Sequence, residues 1–226
     1  MWRHFFNLLY PNLCRLCNTH LVGNEELVCT SCRMALPKTY FNTFDMEQLA
    51  TRLYGQIRFD HVLAYLKFYK SGITQSLLHQ LKYGNCPEIG DMAGRWFGHM
   101  LVEKNLVSTF DIVVPVPLHK KKLHQRGYNQ SERIAIGIAE SSGINLALKS
   151  LVRTRMNESQ TNKSRVERWQ NVENIFTVKK PDLIKDKRIL LIDDVITTGA
   201  TIESCAIALE KSNAKSISAG ALAMAM

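Results

Sequence analysis

The stretch ILLIDDVITTGATI, residues 189 to 202, puts two adjacent carboxylates, Asp193 and Asp194, at the end of an apolar run. A small, hydroxyl-rich loop follows, Thr197-Thr198-Gly199-Ala200-Thr201. A helix opening after such a loop presents amide N–H groups that have no intrahelical partner. Small residues before it let an anion come close, and phosphate is the usual guest. The threonine hydroxyls add donors, and Gly199 allows a close backbone approach. Carboxylates repel phosphate, so Asp193 and Asp194 should address another part of the same ligand. Vicinal sugar hydroxyls fit, because carboxylates accept their hydrogen bonds at short range. The pattern suggests a ribose 5-phosphate. A plainer reading is an acid-capped helix after a strand, with threonines filling the turn. A Walker B strand also ends in acids, but no G-x-x-x-x-G-K-[ST] loop occurs in the chain.

Cys14, Cys17, Cys29 and Cys32 form C-x2-C-x11-C-x2-C. Zinc takes four such ligands at tetrahedral corners, and each C-x2-C turn offers two sulfurs on one knuckle. Two disulfides are the alternative, but nothing in the sequence points to an oxidising compartment. Four cysteines leave no open coordination position, so the expected zinc is structural. His20 lies within the loop and reads as a surface histidine that could substitute as a ligand. Cys205 falls at helical spacing with apolar neighbours and reads as core, whereas Cys86 stands alone beside Pro87.

A formal net charge of +9 on 226 residues calls for an anionic partner. The basic residues concentrate in 119–126, 149–168 and 179–188. Such patches suit nucleic acid or a multiply phosphorylated small molecule, and charge alone does not separate the two. The last patch also reads simply as solvated surface lysines. No apolar run approaches the roughly 18 residues of a membrane span. The N-terminal apolar stretch is short, stops at Pro11 and lacks a cleavage site. Trp2, Phe5, Phe6 and Leu9 have the spacing of a short amphipathic helix. The expected location is the cytoplasm.

The elements that must position these residues follow from periodicity. Strands are predicted over 61–69, at 111–116 where prolines end the run, over 188–192, and over 214–225. Helices are predicted from Ile73 to Leu81, from Ile89 to Leu101, over 130–141, and after Gly199. A short segment spans 145–152, and 153–171 is polar and basic. Strands alternating with helices, at least one without polar alternation, mean a mostly parallel sheet covered on both faces. Two units are expected: residues 1–55 with a helix, the cysteine knuckles and a connector, and residues 56–226 with the sheet.

ILLIDDVITTGATI resembles, along its whole length, the PRPP-binding signature of type I phosphoribosyltransferases. With the four cysteines, PVPLHKKKLHQRGYNQSERIA (115–135) and RTRMNESQTNKSRVERWQN (153–171), the chain is similar to the ComF family of competence proteins. The resemblance implies a type I phosphoribosyltransferase-like α/β fold preceded by a four-cysteine zinc ribbon. It also implies that Asp193 and Asp194 bind the ribose hydroxyls and that Thr197, Thr198, Gly199, Ala200 and Thr201 hold the 5-phosphate. Mg2+ would be shared between ribose and pyrophosphate. His119, Lys120 and Arg126 become pyrophosphate candidates, with Asn129 and Gln130 as orienting groups; Lys120, Lys121 and Lys122 are not ranked by sequence. Arg155, Gln160, Arg165, Arg168 and Asn171 fall in the loop that closes over PRPP in such folds, or else in an exposed hairpin.

Three functions follow. The first is transfer of ribose 5-phosphate from PRPP, with pyrophosphate leaving, to an acceptor the sequence does not name. The second is PRPP sensing in the service of DNA uptake or processing. The third is a single-stranded-DNA-binding competence factor, working with a competence helicase, that keeps the fold as a scaffold. Trp169 and Tyr128 would be its stacking residues or else core.

Overall fold

The structure is a computed structural model and describes residues 12–39, 50–51, 53, 55, 57–154 and 175–225. The expected N-terminal helix, Trp169 and the loop residues Arg155, Gln160, Arg165, Arg168 and Asn171 lie outside the described residues.

Five strands form one parallel sheet: β1 (Val62–Phe68), β2 (Ile112–Pro115), β3 (Asn145–Leu146), β6 (Arg188–Ile196) and β7 (Ser216–Ala225), in the order β1-β7-β6-β2-β3. Strands β4 (Leu151–Arg153) and β5 (Phe176–Val178) make a separate antiparallel pair. Its inner ends are tied by Thr154 N–H donating to the Ile175 carbonyl at 2.8 Å.

The central strands are apolar on both faces because both are covered. Leu190 and Ile192 of β6 face a cluster built with α2 (Ile73–Tyr83), α3 (Glu88–Glu103) and α5 (Gln130–Ser142). Ile189 and Leu191 face the opposite cluster, which includes Ile202, Cys205 and Leu209 of α6 (Ala200–Glu210). Cys205 is fully buried there, as its spacing predicts.

Helix α5 must sit close to α3, since it carries Ser131 toward the acidic end of β6. Small residues make that approach possible. A Cβ at Gly94 would run into the Ile134 carbonyl, and one at Gly137 into the Asp91 carbonyl. Gly137→Ala should therefore destabilise the fold by about 1–3 kcal/mol through overpacking, despite alanine's better helix propensity. A lower urea midpoint at unchanged m-value would show it.

The cysteine region packs on the same side. Cys14, Val28, Cys29, Cys32 and Leu36 join Leu63, Leu66 and Phe97 in one cluster. Arg33, on the short helix α1 (Thr30–Ala35), lies 5.0 Å over the Trp96 ring of α3. The chain leaving α1 then runs along the free edge of β1. Lys67 N–H donates to Pro37 O at 2.8 Å, and Thr39 N–H to Tyr65 O at 3.0 Å. This covers an edge that would otherwise offer unpaired backbone groups.

Candidate functional site

Strands β2 and β6 pair only as far as Pro115 opposite Ile192. From there β2 leads through α4 (Lys120–Arg126) and α5 to β3 on one flank, while β6 leads through α6 to β7 on the other. Such divergence opens a crevice at the carboxyl ends of the strands, where α/β folds bind ligands. The sequence places the end of the strand at Ile192, with the two aspartates just beyond it. In the structure the strand runs through both to Ile196, because β7 keeps supplying partners: Asp193 lies opposite Ala221 and Ile196 opposite Met224.

The two carboxylates are held differently. Asp193 Oδ1 accepts a hydrogen bond from Ser131 Oγ at 2.9 Å and from the Asp194 N–H at 2.8 Å. Asp194 Oδ2 pairs with the Lys82 ammonium at 2.9 Å, with the two side chains 13% and 23% exposed. Burial and the neighbouring Asp194 charge push the Asp193 carboxyl up to about 7, against the Ser131 hydrogen bond. Such a carboxyl next to a hydrogen-bonding ligand changes its protonation as the ligand arrives.

Beyond the strand, Gly199 adopts φ +77° and opens α6 with no side-chain cap. The first amides of the helix are thus left for an external acceptor. Thr197, Thr198, Ala200 and Thr201 border the turn, and residues 193 and 195–202 line a shallow hollow of about 30 Å³.

The segment opposite is less uniform than its sequence implies. His119 caps α4, its Nδ1 accepting the Lys121 N–H at 3.2 Å. Its pKa is lowered first by desolvation and then by Arg153 and the lysines that follow it. Lys120 is exposed. Asn129 is buried and committed locally: Oδ1 accepts the Ser131 N–H at 3.1 Å, and Nδ2 donates to the Val116 carbonyl at 2.9 Å. It thereby fixes the residue that holds Asp193. Gln130 is buried, and its Nε2 has no partner among the described residues. Arg126 sits at the far end of α4, 5.3 Å over the Tyr83 ring. There it lines a separate pocket that includes neither His119 nor Lys120. Tyr128, read as stacking platform or core, is partly buried, and its hydroxyl donates to the Leu81 carbonyl at 2.6 Å.

Three residues in this region escape sequence reasoning: Lys82, Ser131 and Arg153. Lys82 and Ser131 reach the aspartates from 112 and 62 positions away, respectively, and no local pattern marks such pairings. Arg153 reaches His119 through its charge and stacks 5.5 Å over Phe176.

At the N-terminus, the Sγ atoms of Cys14, Cys17, Cys29 and Cys32 all lie within 4.8 Å of one another. Tetrahedral zinc with bonds of about 2.3 Å separates its sulfurs by about 3.8 Å, so the cluster fits that ion. Backbone donors already serve the sulfurs: Cys29 N–H to Cys14 Sγ at 3.3 Å, and Cys32 N–H to Cys29 Sγ at 3.4 Å. The Thr19 hydroxyl and N–H pull the Cys17 thiol down to about 6, toward the thiolate that metal requires. His20 is exposed and stands outside the cluster.

Residues 121–225 match the family model described as Phosphoribosyl transferase domain. The DNA utilization protein YhgH of Salmonella typhi is 28% identical over 148 residues, which cover 62% of this chain and 63% of that protein. Competence protein ComFC of Bacillus subtilis is 37% identical over 108 residues, covering 47% of this chain and 42% of that one. Among solved structures, glutamine phosphoribosylpyrophosphate amidotransferase from B. subtilis matches with TM-score 0.42 and 25% identity, over 58% of this chain and 26% of that one. The chain thus spans less than two thirds of the length of the curated relatives it matches.

Proposed function

We propose that this chain, which carries a phosphoribosyl transferase domain and is similar to the competence protein ComFC, binds PRPP with Mg2+ and serves the handling of incoming DNA. The observation that carries the reading is that Asp193 and an uncapped helix start line one hollow, with the second carboxylate, Asp194, next to it on the strand. Asp193 and Asp194 stand at the end of β6, and the loop 197–201 opens α6 with no side-chain cap. The carboxylates take the ribose 2- and 3-hydroxyls. Thr197, Thr198, Gly199, Ala200 and Thr201 take the 5-phosphate. His119 and Lys120, at the start of α4, are the candidates for the pyrophosphate.

Mg2+ bound together with PRPP would supply positive charge against the departing pyrophosphate. Where transfer follows, positive charge develops at C1 of the ribose, and the carboxylates stabilise it. Zinc in the four-cysteine knuckle is structural. Among the described residues no helix is long and apolar enough to cross a membrane, and we place the protein in the cytoplasm. The names of its relatives, DNA utilization and competence, support the DNA side of this reading, in which single-stranded DNA and a competence helicase are the proposed partners.

Calorimetric titration of PRPP with Mg2+ tests the site. Micromolar binding is expected, weakened at least about a hundredfold in the Asp193→Asn/Asp194→Asn double variant, a loss of about 2.7 kcal/mol or more. A folded protein that binds no PRPP, or a double variant that binds it as tightly, would refute the reading.

A further inference from the structure

Between the end of α2 and the outer face of α4 lies a second, larger pocket of about 460 Å³. Its volume falls in the range of small-molecule sites. Lys82, Lys122 and Arg126 bring positive charge to it, Asn85 and Gln125 bring side-chain amides, and no carboxylate among the described residues lines it. Tyr83, 69% exposed, forms part of its wall. That ring is flanked by Arg126 at 5.3 Å and by the His79 ring at 5.0 Å.

A phosphate suits the three cations. An exposed aromatic wall suits an unsaturated ring, which meets the free edge of Tyr83 because Arg126 already lies over its face. The amides offer paired donors and acceptors to the edge of such a ring. Together these match the phosphate and the base of a nucleotide.

We propose that this pocket binds a nucleoside monophosphate as a second ligand, distinct from PRPP. The lining also explains an odd feature of the first site. Lys82 is a pocket cation already engaged in that site, with its ammonium 2.9 Å from Asp194 Oδ2. It is therefore shared between the two sites. A ligand that brings hydroxyl donors to Asp194 loosens that carboxylate's hold on Lys82 and releases charge toward a phosphate in the pocket. The two ligands then bind with positive coupling, which must be reciprocal. This coupling, unlike the pocket itself, rests on the reading of Asp194 as a ribose-binding residue.

Titration of AMP, UMP and dTMP, each alone, into the zinc-loaded protein tests the proposal. Saturable binding of at least one is expected at one site per chain. Tyr83→Ala should weaken it about tenfold or more, and Gln125→Glu, which places a carboxylate among the phosphate-binding cations, by at least as much. PRPP affinity should stay within about twofold in both variants. Addition of Mg2+ and PRPP should tighten nucleotide binding about fivefold or more, and Lys82→Met should abolish that gain.

Simple competition between the nucleotide and inorganic pyrophosphate would overturn the proposal, because the pocket would then be part of the PRPP site. So would nucleotide binding that Tyr83→Ala leaves unchanged, or no nucleotide binding in a protein that binds PRPP. Nucleotide binding lost in Tyr83→Ala, in a protein that does not bind PRPP at all, would uphold the pocket and refute the PRPP reading.

Discussion

Asp193→Asn should melt at a higher temperature than the natural protein at pH 8 and should bind PRPP far more weakly. Asp193 lies beside Asp194 in a crowded strand end, and its carboxyl is raised to about 7. A carboxyl whose folded-state pKa exceeds its unfolded value near 3.9 binds its proton more tightly when folded. The stability it contributes is present in full below the unfolded pKa and is lost as pH rises through 7. Below pH 4 the acid and the amide should therefore melt alike. The advantage of the Asp193→Asn variant should grow from pH 4 upward and level off above 7. Its size is bounded by about 2–4 kcal/mol for a shift of this order, roughly 4–16 °C for a domain of this length. The amide keeps the acceptor that Ser131 and the Asp194 N–H use, so no hydrogen bond is forfeited. Melting curves at half-unit pH steps read this directly. Equal melting at pH 8, or a gap that shrinks with rising pH, would contradict it. The binding half has an independent signature: hydroxyl donors favour the ionised carboxylate, so PRPP binding near pH 7 should release a proton. Calorimetry in buffers of different ionisation enthalpy detects that proton, and the variant should lack it.

That a strand should end in charge it holds at a cost is legible in ILLIDDVITTGATI itself. What surrounds the charge is not. The apolar run of β6 and its covering by two layers follow from composition, because a strand without polar alternation has to be buried on both faces. The start of α6 follows from Gly199, whose φ of +77° a side chain rarely adopts. The strand's actual end, four residues beyond Ile192, depends on how far β7 extends alongside it, and no local pattern in β6 encodes its neighbour's length. Lys82 looks in sequence like any basic residue in the last turn of a helix, favoured there by the macrodipole. Its pairing with Asp194 is a consequence of where α2 ends relative to β6. The basic run 119–126 reads as one patch, yet the residues at its two ends are held differently. Arg126 belongs with Tyr83, and His119 turns its ring back on its own helix. Direction around a short helix separates residues that sequence places together.

Metal removal should produce the largest loss of stability, and the packing says how far the damage spreads. Structural zinc in small knuckles contributes about 10–16 kcal/mol of binding free energy near pH 7, and that energy is folding energy, because the site does not exist in the unfolded chain. Here the knuckle is not an appendage. Cys14 is fully buried, and with Val28, Cys29, Cys32 and Leu36 it shares a cluster with Leu63 of β1 and Phe97 of α3. Segment 37–39 also covers the edge of β1. Loss of zinc should then expose the outer faces of β1 and α3 as well as the loop. Excess chelator should lower the melting temperature by more than about 10 °C, since even a third of that free energy exceeds the effect of most single substitutions. Trp96, with Arg33 over its ring, should change its fluorescence early in the melt as α1 undocks. Cys14→Ala should match the chelated protein, because it removes both a ligand and a buried contact. The shallow hollow at Gly199 lies on α6, in the opposite cluster, so the first effect on PRPP binding should be indirect and should follow the loss of β1. Zinc found at one equivalent by elemental analysis, together with a chelator-induced melting shift, is the expected pair of results. A metal-free protein with the same melting curve would mean that the four sulfurs close no metal site.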